Sequence, residues 1–207
     1  MTHPNIYSRS VFINCPFSPD YQPIFRAICF AVYACTFRPR CALEISDSSQ
    51  FRLSKIQDII RACQYGIHDI SYMSLDPKSG LPRLNMSFEL GLFLASKAFG
   101  SSKQKRKNAL ILDRNKYRYQ KALSDISGQD IALHNGNPKT AICEVRDWLD
   151  TCQAGTYSLP GGEHIYAQFK RFSKQLPSAS AAINLNANKL TFSDVCRAIE
   201  SWLKDNA

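Results

Sequence analysis

Residues 108–113 read Asn-Ala-Leu-Ile-Leu-Asp, and this short apolar run decides the fold class. Consecutive aliphatic residues between polar ends are typical of a strand that is buried on both faces, as in a parallel sheet. The segment before it, Met86–Phe99, is mostly apolar, is longer than a strand and is followed by Gly100, a common helix C-cap. A buried strand that follows a buried helix is the unit from which α/β sheets are built.

The same alternation extends along the chain in both directions. Further short apolar runs predict strands, and longer segments with helical spacing of apolar residues predict helices. The predicted strands are Val11–Cys15, Cys41–Ile45, Gly66–Ile70, Asn108–Asp113 and Asp130–His134. The predicted helices are Gln22–Thr36, Phe51–Gln64, Met86–Phe99, Lys116–Ser124 and Thr140–Cys152. This pattern predicts an α/β fold with three layers and a doubly wound, parallel five-stranded sheet of order 2-1-3-4-5.

A different pattern follows the α/β segment. Gly155 and Pro160-Gly161-Gly162 mark a boundary, so we predict an α/β domain at 1–154 and a helical C-terminal extension at 155–207. The extension contains two predicted helices, His164–Leu176 and Thr191–Asp205. It is too short for a core of its own, and we expect it to pack on the α/β domain or to form an oligomer contact.

Several classes of protein are excluded by motifs that the sequence lacks. There is no dinucleotide-binding Gly-x-Gly-x-x-Gly, no phosphate-binding loop, no His-Glu-x-x-His and no Gly-x-Ser-x-Gly. The eight cysteines include no Cys-x-x-Cys pair, which argues against a zinc site and favours free thiols in a reducing compartment. We therefore expect neither a metal nor a tightly bound cofactor.

Composition limits the choice of partners. The chain has 207 residues and a formal net charge of +9, without a motif for specific nucleic-acid recognition. Such a charge by itself predicts only weak, salt-dependent attraction to polyanions. The sequence contains no apolar run of about 20 residues and no signal peptide, so we expect a cytoplasmic protein that does not enter a membrane.

One acidic residue is unusual. Glu89 is the only charged residue between Arg83 and Lys97, on a helix that is apolar on nearly every face. We predict that Asn85 caps this helix, that the helix dipole keeps Glu89 ionised and that Gly91 packs closely on the sheet. A carboxylate beside a cleft can attack or stabilise a cationic sugar carbon as a glycosidic bond breaks. The alternative is an ordinary first-turn glutamate that stabilises its own helix.

The predicted topology brings further candidates to the same place. Ligands of doubly wound sheets bind beyond the carboxyl ends of the strands, where the strand order reverses. That crevice lies between strands one and three, where the helix of Glu89 also begins. The candidate residues at its floor are Cys15, Pro16, Phe17, His68 and Asp69. His68 can instead be structural, and Cys15 lacks a local base that would activate its thiol.

Three segments resemble the nucleoside 2-deoxyribosyltransferase-like group, which is related in fold to Toll-type (TIR) domains with their flavodoxin-like sheet. They are Phe12-Ile-Asn-Cys-Pro-Phe17, Gly66-Ile-His-Asp-Ile-Ser71 and Asn85-Met-Ser-Phe-Glu-Leu-Gly91. The resemblance implies that Glu89 is the nucleophile or the stabiliser of the oxocarbenium ion. It implies that Pro16 and Phe17 border the sugar and the base. Asp69 and Asn85 lie in the regions from which ribose ligands are expected.

The sequence departs from that group at two positions where the transferases have an aspartate, and the first is the start of the helix before strand three, where no acid is placed here. Arg83 stands six residues before Glu89, where the transferases have an aspartate. An arginine favours a phosphate-bearing substrate, and Arg114 after strand four is a second candidate for a phosphate contact, although it can equally begin a basic helix. We therefore expect the substrate to be a nucleotide or NAD, whose glycosidic bond is cleaved.

The resemblance also implies a biological setting. Many relatives act in bacterial immunity against phage and function as homo-oligomers or together with a partner protein. The alternative function is a nucleotide-sensing module of the same fold that performs no chemistry.

Overall fold

The sheet is the central feature of the fold. The computed structural model describes residues 6–73, 80–153 and 158–206. Five parallel strands form one sheet of order β2-β1-β3-β4-β5, which confirms the predicted α/β, doubly wound class. The strands are β1 (Ser10–Asn14), β2 (Arg38–Arg40), β3 (Tyr65–Asp69), β4 (Asn108–Asp113) and β5 (Ile131–Leu133). The strand order reverses at β1, so the crevice lies between the carboxyl ends of β1 and β3.

Helices cover both faces of the sheet. The α-helices in the described ranges are α1 (Ile6–Arg9), α2 (Gln22–Ala34), α3 (Arg52–Ala62), α4 (Asn85–Phe99), α5 (Pro138–Cys152), α6 (Gly162–Ala182) and α7 (Phe192–Asp205). Alternate residues of a strand point to opposite faces. Accordingly, Phe12 of β1 packs against α3 and α4, whereas Val11 and Ile13 belong to the larger core with α2 and α5.

The two C-terminal helices contribute to that larger core. Phe30 of α2 lies 5.4 Å from Phe172 of α6 and 5.8 Å from Trp202 of α7, measured between ring centroids. The predicted capping signature of α7 is present, since Thr191 and Asp194 form a reciprocal capping box. The predicted domain boundary at residue 155 lies outside the described residues.

The prediction of the second strand was wrong. The strand is Arg38–Arg40 instead of Cys41–Ile45, and Arg38 pairs in register with Ser10 of β1. Pro39 argues against a strand at this position, because proline has no N–H group to donate in the hydrogen-bond ladder of a sheet. It is tolerated here because β2 is at the edge of the sheet and pairs on one side only.

Gly66 lets α4 approach the middle of β3. A Cβ atom at this position would lie 2.7 Å from both His68 Nε2 and a ring carbon of Phe93. We expect Gly66→Ala to lower the free energy of unfolding by about 1–3 kcal/mol, because neither buried neighbour can move without disturbing the core. Gly91→Ala is the matched control, since a Cβ there meets nothing within 4 Å. Chemical denaturation measures both, and equal stabilities would contradict the expectation.

Candidate active site

Glu89 is a buried acid on α4, the helix that follows β3. Its residue is 7% exposed, and no described residue donates a hydrogen bond to it or pairs with it. Burial raises the pKa of its carboxyl from 4.5 to about 7, and Arg52 at the start of α3 opposes that rise. The prediction that Glu89 is kept ionised is therefore wrong. Loss of water around the side chain outweighs the helix dipole, and the group is about half protonated at neutral pH.

The helix that carries Glu89 differs from its predicted form. Asn85 is the first residue of α4 and does not cap it; the capping position belongs to Leu84, which makes no side-chain cap bond. Gly91 is exposed and does not touch the sheet, so its predicted close packing is wrong. Phe88 and Phe99 are also exposed, at 55% and 88%. The helix is thus buried on one side only, and Glu89 belongs to that buried side.

Asn14 and His68 join the two strands of the crevice to α4. The Asn14 side-chain amide donates to the backbone oxygen of Met86 at 2.7 Å and lies 3.1 Å from His68 Nδ1. Burial, with a smaller effect of Lys107, lowers the pKa of His68 to about 3, so the ring is neutral. His68 is fully buried and its ring centroid lies 4.8 Å from that of Phe93. This environment favours the structural alternative for His68 over contact with substrate.

The Asp69 carboxylate is engaged in contacts with other residues of the protein. Its carboxylate accepts hydrogen bonds from the Tyr21 hydroxyl at 2.5 Å and from the Ser71 backbone N–H at 2.8 Å, and His134 Nε2 lies at 2.9 Å. The side chain has no exposed surface. Because Asp69 is on the face of the sheet opposite His68, it orients the end of β3 instead of pointing toward Glu89.

Ser71, His134 and Asp69 form a group that is not a serine nucleophile site. His134 Nε2 lies 2.9 Å from both Ser71 Oγ and Asp69 Oδ2, while the Gly136 backbone N–H donates to Nδ1 at 3.0 Å. A catalytic histidine instead contacts the serine and the acid through different ring nitrogens. Here Nδ1 accepts a backbone bond, so no ring nitrogen remains to take the proton of Ser71.

Polar residues stand at the carboxyl ends of four strands, and the sequence analysis named Asp69 among them as a site candidate but not His134. Asn14, Asp69, Asp113 and His134 stand at the ends of β1, β3, β4 and β5, and all four are buried. Asp113 accepts a hydrogen bond from Arg118 at 2.6 Å, and its other oxygen has no partner among the described residues. Burial raises the pKa of Asp113. The usable signal was a polar residue directly after each apolar run.

Two arginines lie near Asp20. Arg114 lines a small cavity of about 50 Å³ together with Asp20, Tyr72 and His134. The nearby Ser18 hydroxyl and a hydrogen bond from the Tyr72 hydroxyl lower the pKa of Asp20, and Arg83 contributes to that lowering. Both arginines are exposed, so their guanidinium groups can reach an anion in solution.

The loop that follows β1 is apolar and largely buried. Pro16 is buried and Phe17 is half-buried, with its ring 5.4 Å from that of Phe25. Burial raises the pKa of the Cys15 thiol well above its usual value, and the charges of Asp69 and Glu89 raise it further. Cys15 is therefore not an activated nucleophile. The effect of both acids on one thiol places them near the end of β1.

The described residues contain neither a metal-binding group nor a membrane-spanning helix. No three His, Cys, Asp or Glu residues among them are arranged to hold a metal ion, and all eight cysteines are free. Of the helices in the described ranges, none combines the length and apolar character that crossing a membrane requires. The chain matches none of the protein-family models, curated proteins or solved structures with which it was compared.

Proposed function

We propose that this protein cleaves the N-glycosidic bond of a nucleotide or of NAD, with Glu89 as the reacting carboxyl group. The observation that supports this most strongly is a nearly fully buried acid without a partner among the described residues, on the helix that follows β3. Burying an unpaired acid costs stability. Strongly shifted acids of this kind are concentrated in functional sites.

The proposed reaction breaks the bond between C1′ of the ribose and a nitrogen of the base. The bonding electrons leave with the base, and positive charge develops at C1′. Ionised Glu89 stabilises that charge or bonds to C1′, after which water supplies a hydroxyl group to C1′ and Glu89 is released. Nicotinamide leaves NAD as a neutral base, and the remaining proton of the water is released to solvent; a departing purine or pyrimidine takes that proton instead. Arg83 and Arg114 are the proposed phosphate contacts.

The likeness of three segments to the deoxyribosyltransferase-like and TIR-like groups supports the same reaction class. An effector role in defence against phage, a cytoplasmic location and assembly with further copies or a partner protein are parts of the proposal that rest on that likeness. Asn85 at the exposed start of α4 is accessible for a ribose contact.

Product analysis tests the proposal. The purified protein is incubated with NAD, nucleoside monophosphates and nucleosides, and the mixture is examined by mass spectrometry. We expect a free base together with its ribosyl product, and we expect phosphate-bearing substrates to be preferred. A nucleotide that binds and stays intact, at protein concentrations that allow assembly, would favour the sensing module instead. The contacts of Tyr21 and His134 with the Asp69 carboxylate are consistent with that alternative.

The dependence of the rate on pH tests the role of Glu89. Because the ionised form reacts in the proposed step, we expect the rate of base release to rise with pH through about 7. Arg52→Gln removes a cation that lowers this pKa, so the inflection should move to higher pH. Arg61→Gln, near the other end of α3, is the matched control. A rate that falls over this range, or an inflection unmoved in the Arg52 variant, would contradict the assignment.

A further inference from the structure

A basic turn lies at the opposite end of the sheet from the crevice. It connects α4 to β4 and is located at the amino end of β4, whereas the crevice is at the carboxyl ends of the strands. Residues 90–112 contain no Asp or Glu. We define the basic turn by its exposed basic and aromatic residues, which are Lys97, Phe99, Lys103, Lys105 and Arg106. A surface of this kind has a positive potential that attracts anionic partners.

Backbone and side-chain contacts hold the basic turn together. The Gly100 N–H donates to the Ser96 backbone oxygen at 3.1 Å, and a Cβ atom at Gly100 would lie only 2.7 Å from the Cβ atom of Gln104. Gln104 is buried, where it accepts a hydrogen bond from Ser96 Oγ at 3.1 Å and donates to the Arg61 backbone oxygen of α3 at 3.0 Å. The chain on either side of Gln104 is therefore packed against the end of α4, next to Phe99.

Three cations of the basic turn have no anionic partner in the part of the chain that the structure describes. Lys97, Lys105 and Arg106 are exposed and form no ion pair with any described residue. The neighbouring helix α3 provides no free anion, because its one acid, Asp58, pairs with Arg61. The positive charge of the basic turn is thus not neutralised by the described part of the protein and remains available to an external anion.

The two lysines that flank these cations are held differently. The Lys103 backbone oxygen accepts a hydrogen bond from the Tyr7 hydroxyl at 2.8 Å, and its Nζ lies 4.3 Å from the centre of the Tyr7 ring while the residue stays exposed. Lys107 is buried and donates to the Ile60 backbone oxygen at 2.6 Å. Lys107 therefore stabilises the fold and does not belong to the basic turn, whereas Lys103 adds a fourth surface cation.

Phe99 gives the basic turn an apolar group. At 88% exposure it is the most exposed large apolar residue in the described ranges, and contact of its ring with water is unfavourable. An aromatic ring among cations matches the surface of an anionic membrane, where headgroups attract the cations and the acyl boundary accepts the ring. Single-stranded nucleic acids are instead bound by several rings along a groove, and the basic turn has one ring.

We propose that the basic turn binds the surface of an anionic membrane, with its four cations at the lipid headgroups and Phe99 inserted at the acyl boundary. A surface contact of this kind requires no membrane-spanning helix. The inference is independent of the proposed function, because no residue of the basic turn belongs to the crevice. Since the crevice is at the other end of the sheet, the bound protein keeps the crevice open to the solution.

Sedimentation of the full chain with vesicles tests the proposal. The vesicles contain phosphatidylcholine alone or phosphatidylcholine with about one third phosphatidylserine. We expect binding to the anionic vesicles only, with a bound fraction that falls as salt is added. Lys105→Gln/Arg106→Gln should lower the partition coefficient by about 25-fold, at about 5-fold for each cation. Phe99→Ser should lower it by about 10-fold, because the apolar contact is lost.

The matched control is Lys170→Gln/Lys174→Gln, which removes two exposed charges of α6 and gives the same net charge as the other double variant. We expect this control to bind anionic vesicles within about two-fold of the wild type. An equal loss in both double variants would show attraction by net charge alone and would overturn the proposal. Unchanged binding of Phe99→Ser, no binding to anionic vesicles, or binding to a single-stranded oligonucleotide instead of vesicles would also overturn it.

Discussion

Replacement of Glu89 by glutamine is expected to lower the rate of base release by about 10²–10⁴-fold while leaving the fold intact. Glutamine has nearly the same size and fits the same buried position. It cannot ionise, so it places no negative charge beside the sugar carbon as the base departs. The measurement is kcat/KM for release of the base from the best substrate of the nucleotide panel, for the wild type and the variant under identical conditions.

A matched substitution separates this effect from a general loss of charge. Glu163→Gln removes an exposed acid of α6 that pairs with Lys139, outside the crevice. We expect this variant to retain the wild-type rate. Glu89→Gln with full activity would show that another group performs the reaction, and the assignment of Glu89 would then be wrong.

The same Glu89→Gln variant is expected to be more stable than the wild type at pH 8, by about 3 kcal/mol. The folded protein holds the Glu89 proton with a pKa near 7, whereas the unfolded chain holds it with a pKa of 4.5. Between these values the folded state binds more protons, so this group makes wild-type stability fall as the pH rises from about 4.5 to 7. Glutamine stays neutral and avoids the cost of a buried, unpaired anion.

Chemical denaturation at several pH values measures this difference. Subtracting the unfolding free energy of the wild type from that of the variant at each pH cancels the contributions of other titrating groups, such as His68. The variant and the wild type should be similarly stable near pH 4 and should separate progressively up to about pH 8. A constant difference across this range, or a variant that is less stable at pH 8, would contradict the burial of an unpaired carboxyl at this position.

The fold could be predicted from sequence because its signals are local. The run at Asn108–Asp113, the length of the apolar segment at α2 and the helical spacing of α5 reflect burial that the hydrophobic pattern records directly. The edge strand β2 could not be recognised in this way. It is three residues long and contains Pro39, and only pairing with the distant β1 defines it as a strand.

Glu89 could be identified as a candidate from the sequence, but its burial and its protonation state could not. An isolated acid among apolar residues is visible in the printed chain, whereas the depth of its burial depends on packing against other elements. The contacts of Asp69 could not be predicted either, because Tyr21 precedes it by 48 residues and His134 follows the distant strand β5. Such contacts between distant residues leave no local pattern.

The exposed side of α4 marks another limit of sequence interpretation. Phe88 and Gly91 made the helix look apolar all around, which is typical of burial on both sides. In the structure both residues face outward, and only the side with Glu89, Leu90 and Phe93 enters the core. Periodicity shows that a face is apolar, but not what covers it.

The most direct measurement is a ¹³C NMR titration of the Glu89 side-chain carboxyl carbon in the folded protein, assigned with the Glu89→Gln variant. A carboxyl that burial keeps partly protonated near neutral pH should titrate with a midpoint close to 7. A midpoint near the ordinary value of 4.5 would mean that Glu89 is hydrated like a surface glutamate. The chemistry proposed for the crevice would then lose its basis.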